Sequence, residues 1–242
     1  MRTLDQILEP NARLSGDEAC VQHAVQCSPY IQRLLFSDAE LLPDLLENMH
    51  RIWSEQDMRD WLAAEAIADE ATLKRALRRL RNRVMLRVIV RDLNGLAELN
   101  EVMRSMSQLA EVTVQFALQH LTPWLKAAHG QPVDVHGNQQ SLIVFGMGKL
   151  GGCELNVSSD IDLIFAYEED GETHFSNDQS GKSLSNHEFF LSLSKKLIAA
   201  IDEITKDGFV FRVDMRLRPY GSDGPLACSF AMLEEYYQNQ GR

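Results

Sequence analysis

Two carboxylates one residue apart, Asp160 and Asp162, are the residues whose type and spacing most plainly suggest chemistry. They lie in Ser141–Ala166, SLIVFGMGKLGGCELNVSSDIDLIFA. This stretch reads as an apolar strand (Ser141–Phe145), a glycine-rich turn (Gly146–Gly152), a short polar run, and a second strand holding both acids. A strand has a side-chain period of two, so Asp160 and Asp162 project from one face while Ile161, Leu163 and Phe165 take the buried one. Cα atoms two residues apart are roughly 7 Å apart, and the carboxylate oxygens can converge to about 4 Å. At an effective dielectric near 20, like charges at that distance repel by about 4 kcal/mol. No fold requires such a pair. A hard divalent cation such as Mg²⁺ takes carboxylate oxygens and would turn the repulsion into binding.

A third acid follows. From Phe209 to Leu217 apolar and polar residues alternate, which predicts a strand with Asp214, Arg216 and Arg218 on one face. A carboxylate between two guanidiniums suits a metal-bound phosphate, the acid for the metal and the arginines for phosphoryl oxygens. A solvated polar face is the plain alternative. It explains the alternation but not the order of charges. Pro219 marks the strand end, so Arg216 is expected to reach a phosphoryl group, whereas Arg218 is equally suited to serve the loop Tyr220–Gly224.

The elements that must position these residues divide in two. Residues 1–138 read as an all-helical domain. Asp17–Gln26 is a short helix; Ser28-Pro29 caps the next, Tyr30–Phe36; Ser37-Asp38 precedes a run toward Trp53 that Pro43 kinks or divides. In Glu70–Arg91, Leu73, Leu77, Leu80, Val84 and Val88 recur at helical steps. The same segment holds eight of the chain's 24 basic residues, which read either as a solvated face or as a basic surface toward an anionic substrate or acidic partner. After Asn94-Gly95 a second long helix runs from Leu99, with Thr122-Pro123 capping or restarting a last turn that Gly130 ends. Gly130–Gln140 reads as a linker. Residues 139–242 then form a mixed α+β unit. It holds an acidic serine-rich loop (Glu168–Ser185), a helix opened by the capping box Ser185-Asn186-His187-Glu188 with Phe190 to Ile204 buried, and a final helix at Phe230–Gln240.

Composition narrows the function. A net charge of −11 argues against nucleic-acid binding. Cys20, Cys27, Cys153 and Cys228 show no C-x-x-C pairing, and the seven histidines show no ligand spacing, so free thiols in a reducing cytoplasm are expected. No run of about 18 apolar residues occurs, so no membrane span is expected. Gly146-Met147-Gly148-Lys149-Leu150-Gly151 matches the dinucleotide fingerprint, but the acidic strand follows too soon for the helix that fingerprint needs. Ser180-Gly181-Lys182-Ser183 ends like a phosphate-binding loop, yet Ser176 stands where its first glycine belongs.

Leu150-Gly151-Gly152, Asp160-Ile161-Asp162-Leu163 and Val213-Asp214-Met215 together resemble the nucleotidyltransferase superfamily signature. That resemblance implies a DNA polymerase beta-like mixed sheet with flanking helices. GMGKLGGCELNVSSDIDLIF and DMRLRPYGSDGPLACSFAMLEEYYQNQGR further resemble the bifunctional glutamine synthetase adenylyltransferase/adenylyl-removing enzymes, over most of the chain but only the N-terminal part of a longer protein. The ELN-x-SSD and RP-[FY]-G-x-x-GPL wordings resemble the deadenylylating half. The resemblance implies that Asp160, Asp162 and Asp214 are catalytic and hold two Mg²⁺ or Mn²⁺ ions. Gly151, Gly152 and Ser159, with Arg216 and Arg218, would face phosphate or nucleotide. It implies phosphorolysis of adenylyl-tyrosine on glutamine synthetase, giving ADP. PII signal protein, adenine nucleotide and phosphate are the further partners it implies, and regulation of nitrogen assimilation the role. Adenylylation from ATP at the same site, and a silent regulatory fragment, are the alternatives. A nicotinamide-dependent oxidoreductase is the least favoured.

Overall fold

The computed structural model describes residues 2–9, 13–175 and 181–240. The phosphate-loop match from Ser176 to Ser180 and the centre of the serine-rich loop lie outside them, as does Gly241.

Five short helices open the chain: α1 (Leu4–Leu8), α2 (Gly16–Cys27), α3 (Pro29–Ser37), α4 (Leu41–Asn48) and α5 (Glu55–Ala63). Thr3, Ser15, Ser28 and Ser54 each accept a first-turn amide at an N-cap, worth about 1 kcal/mol apiece. Pro43 neither kinks nor divides α4. It is the third residue of the helix, where its missing N–H has no intrahelical acceptor to lose. Helix α5 has no counterpart in the sequence reading.

Helix α6 (Glu70–Leu93) is capped by Asp69, and Leu73, Leu77, Leu80, Val84 and Val88 are buried as their spacing predicts. The helix is enclosed on more than that stripe. Leu86 and Val90 join Ile7, Val21, Ile31, Leu35 and Met49 in a small core under the first helices. The opposite side joins α7 (Leu99–His129), α9 (Asn186–Asp202) and the central strand in the main core. The solvated-face and basic-surface readings of α6 are therefore corrected. Arg78, Arg87 and Arg91 are buried, and most of the basic side chains brace the interior. Arg79, Arg83 and Arg87 pair with Glu65, Glu40 and Asp44; Arg91 holds Glu101 at 2.8 Å and donates to Met49 O at 2.6 Å.

Helix α7 runs unbroken through Pro123, against the expected restart. A proline inside a helix costs about 3 kcal/mol, and here it is flanked by buried Leu121 and Leu125, whose packing offsets that cost. Gly130 ends the helix at φ +87°, and a Cβ there would meet His174 O at 2.7 Å.

The linker reading of Gly130–Gln140 is also corrected. Strand β1 (Gln131–Asp134) pairs antiparallel with β4 (Gly171–His174), inside the stretch read as a loop, and Gln140 is buried with its Oε1 accepting Glu169 N at 2.8 Å. The second sheet is built on β3 (Ile161–Tyr167). On one side β3 pairs antiparallel with β2 (Ile143–Met147); along its other edge lie, end to end and parallel, β5 (Val213–Asp214) and β6 (Ala227–Ser229). Between β2 and β3, Gly148–Gly151 forms one helical turn, α8, and α10 (Phe230–Asn239) follows β6. The architecture is α+β: flanking helices on a mixed sheet of nucleotidyltransferase type.

The long strand expected at Phe209–Leu217 is not formed; only Val213 and Asp214 pair. One arginine of α6 takes a carbonyl that a ladder would have used, and another braces the turn just before it. Arg78 Nε donates to Gly208 O at 2.8 Å and Arg81 Nε to Val210 O at 2.7 Å, while the Val210 amide donates to Ile201 O at 2.9 Å. Val210 and Phe211 are consequently both buried and Leu217 is exposed, which alternation forbids. Ile204, expected on the buried side of α9, lies beyond the end of that helix and is exposed.

Candidate active site

The site forms where β3 and β5 run side by side. Ile161 pairs with Val213 and Asp162 with Asp214, so these two carboxylates start from directly opposed positions. Neighbouring strands lie about 4.8 Å apart, which brings the acids within reach of one ion. On the far side of Asp162 stands Met147, and the next residue, Gly148, turns the chain at φ +53°. A Cβ at Gly148 would lie 2.7 Å from Asp162 Oδ2. The glycine thus leaves the space that Asp162 occupies.

The three acids differ in how they are held. Asp160 sits just before β3 and accepts Arg212 Nε at 2.5 Å, while Arg212 Nη2 also reaches Ser158 O at 3.0 Å. Asp214 accepts the Arg216 backbone N at 2.8 Å and Arg216 Nε at 2.8 and 3.0 Å, and these bonds hold its pKa below the usual carboxylate range. Asp162 has no hydrogen-bond donor among the described residues. Burial first, then the charges of Asp214 and Asp160, push its pKa up, with Arg216 opposing. A half-buried carboxylate with like charges on both sides and no donor is a poor structural element and a suitable cation ligand.

Gathering of the full ligand set is a separate matter. Among the described residues no three His, Cys, Asp or Glu side chains converge closely enough to hold a metal ion as they stand. Asp162 and Asp214 lie opposite each other, with Asp214 turned to Arg216 and Asp160 to Arg212.

The remaining residues singled out by sequence are placed as follows. Arg216 has 85% of its side chain exposed beyond its contact with Asp214, so it borders both the acid and open solvent. Arg218 is turned into its loop, donating to Met215 O at 2.7 Å, Ser222 O at 3.1 Å and Gly224 O at 3.2 Å. Ser159 closes a tight turn, its Oγ accepting Asn156 N at 3.1 Å. Gly151 admits no Cβ, but the obstacle is Gly146 O at 2.6 Å, whereas Gly152 has room for one. Gly146 and Gly151 are therefore demanded by the tight return of α8 onto β2, and Gly152 is not. Gly148 and Arg212 were missed as site residues. The G-x-G spacing carried the signal for Gly148 but was set aside with the dinucleotide fingerprint; nothing local marks Arg212 as the partner of Asp160.

Residues 19–242 match the family model described as glutamate-ammonia ligase adenylyltransferase. Among curated proteins, one from Nitrosomonas eutropha is 51% identical over 220 residues, covering 89% of this chain and 23% of that protein. One from Aromatoleum aromaticum is 48% identical over 222 residues, covering 92% and 23%. One from Pseudomonas aeruginosa is 48% identical over 223 residues, covering 89% and 22%. All three are named bifunctional glutamine synthetase adenylyltransferase/adenylyl-removing enzyme. The chain spans about a quarter of their length, matching the N-terminal part.

Proposed function

The chain belongs to the glutamate-ammonia ligase adenylyltransferase family, and from that premise we propose that it carries the adenylyl-removing site of such a protein. The reaction is phosphorolysis of adenylyl-tyrosine on glutamine synthetase. A phosphate oxygen bonds to the adenylyl phosphorus, the bond to the tyrosine oxygen breaks, and ADP and free tyrosine result. The observation that carries this reading is Asp162: an undonated, half-buried carboxylate set opposite Asp214, with the cationic Arg216 at its edge.

Asp162 and Asp214 would hold a Mg²⁺ or Mn²⁺ ion, and Asp160 would join them, to a second ion or the same one, once released from Arg212. Bound there, the ion would screen phosphoryl charge and the departing phenolate, whose pKa near 10 makes it a tolerable leaving group. Arg216 orients the attacking phosphate by a charge-assisted contact. Arg218 fixes the loop Tyr220–Gly224 that borders the site, and Gly148 keeps the approach to Asp162 open. Glutamine synthetase, PII signal protein and adenine nucleotide are the partners of this reading, and the cytoplasm its setting. Among the described residues, no helix is long and apolar enough to cross a membrane.

One observation favours a second reading. Two of the three acids are neutralised by arginines, as expected of a silent module that binds partners. Titration with Mn²⁺ separates the two, since a silent module shows no saturable binding. Incubation with adenylylated glutamine synthetase, Mn²⁺ and phosphate tests the reaction. ADP is expected; transfer onto unmodified glutamine synthetase from ATP, with no ADP from the adenylylated form, would reverse the assignment.

A further inference from the structure

Beyond Asp162 and Asp214, a cavity of about 1160 Å³ opens between α3, the outer side of α6, the segment after α9 and the turn Val157–Ser159. That volume is at or above the usual range for small-molecule sites. Its charge is opposite in sign to the chain's. Arg33, Arg75, Arg79, Arg81, Lys206 and Arg212 line it, against Asp38, Glu40 and Asp207, in a protein of net charge −11. Arg79, Arg81 and Arg212 are committed to Glu65 and Glu40, to Val210 O and Tyr30 Oη, and to Asp160. Arg33, Arg75 and Lys206 are exposed and form no ion pair or side-chain hydrogen bond among the described residues. Every other basic side chain from Lys74 to Arg91 is spent on an internal acid or carbonyl, so Arg75 is the exception on its helix.

The three free cations come from three separate elements and line one concavity, where none of them is tied to an acid among the described residues. Leu34, Met85, Ile89 and Phe209 supply an apolar part of the wall beside serines and Asn82, and the Phe209 ring lies 4.9 Å from the Arg81 guanidinium. An anionic end and a flat or apolar body are the two features such a wall recognises. Guanidinium forks favour phosphate oxygens.

We propose that this cavity binds a phosphate-bearing small molecule of about nucleotide size, with its phosphates at Arg33, Arg75 and Lys206 and its body on the apolar wall. The cavity does not include Asp162 or Asp214, although Ser159 and Arg212 beside Asp160 lie on its wall, and the proposal stands whatever reaction Asp162 supports.

The test is calorimetric titration of the 242-residue chain with ADP and with ATP in EDTA, which keeps divalent ions from the carboxylates. Saturable binding is expected. Arg33→Gln/Arg75→Gln/Lys206→Gln should weaken it at least tenfold, because each lost charge-assisted contact is worth several-fold or more. Arg75→Gln alone should weaken it less. All three cations are solvent-exposed, so the triple variant should melt with the wild type, and binding should fall as salt is raised. No saturable binding of either nucleotide would overturn the proposal. So would binding that the triple variant keeps.

Discussion

Replacing Arg78 by methionine keeps the length and apolar volume of the side chain and removes its donors. The guanidinium is fully buried and donates to four carbonyls: Lys74 O at 2.9 Å, Ala200 O at 2.9 Å, Gly208 O at 2.8 Å, and Glu203 O. Three of these belong to the end of α9 and the turn that leads to Asp214. Hydrogen bonds from a charged donor contribute about 1.5–3 kcal/mol each, but desolvating the guanidinium opposes them, so the sum overstates the effect. Stranding a buried carbonyl acceptor costs about 1–3 kcal/mol, so losing this set is expected to cost on the order of 3–5 kcal/mol. For a chain of this size that is a fall in Tm on the order of 10 °C. Urea denaturation and calorimetry would measure it. Hydrogen exchange would show where it acts, because the Val210 and Phe211 amides that donate to Ile201 O should lose protection first. Arg78→Lys should recover little, since one ammonium cannot span the same acceptors. An Arg78→Met protein within about 1 kcal/mol of wild type would refute the reasoning that arginine–carbonyl bonds hold the end of α9 and the turn that leads to Asp214.

Asp162→Asn should stabilise the metal-free protein at neutral pH. The folded pKa of Asp162 is raised, so its contribution is present below the unfolded carboxylate pKa and lost as pH rises through the folded value. Melting curves in EDTA across that window should therefore converge at low pH and separate above it, with the variant higher; a clear drop in the variant's Tm at pH 7 would make the carboxylate structural. Arg216→Ala should lower kcat/KM for phosphate about ten- to a hundredfold and leave Mn²⁺ affinity intact or tighter, because Asp214 loses its competing cation; steady-state kinetics with varied phosphate and a Mn²⁺ titration measure both. Gly148→Ala should weaken Mn²⁺ binding and cost about 1–2 kcal/mol, since φ +53° is left-handed and the added Cβ would lie 2.7 Å from Asp162 Oδ2; unchanged Mn²⁺ binding would show that Asp162 is not confined there.

What could be seen in the sequence was whatever depends on local periodicity. The stripe from Leu73 to Val88 and the residues Ile161, Leu163 and Phe165 are buried as their spacing predicts, although β3 is buried on both faces from Leu163 onward. The opposition of Asp162 and Asp214 follows from two acids on strands that end at one edge. What could not be seen was where long polar side chains go. The acceptors of Arg78 lie more than 120 residues away in Ala200 and Gly208, so nothing near it in the chain distinguishes a solvated arginine from a buried brace. Arg81 likewise takes the Val210 carbonyl in the apparent strand at Phe209–Leu217, whose alternation says nothing of that partner. Pro123 and Pro43 show a further limit: a breaker acts according to its place within the turn and the packing beside it.

The most direct measurement follows the label in phosphorolysis. Adenylylated glutamine synthetase, Mn²⁺ and ³²P-phosphate would be given to the chain and to its Asp162→Asn variant, and the nucleotides separated. The account predicts ADP with the label in its β-phosphate from the wild type and none from the variant. Unlabelled nucleotide, no nucleotide at all, or labelled ADP in equal amount from the variant would contradict it.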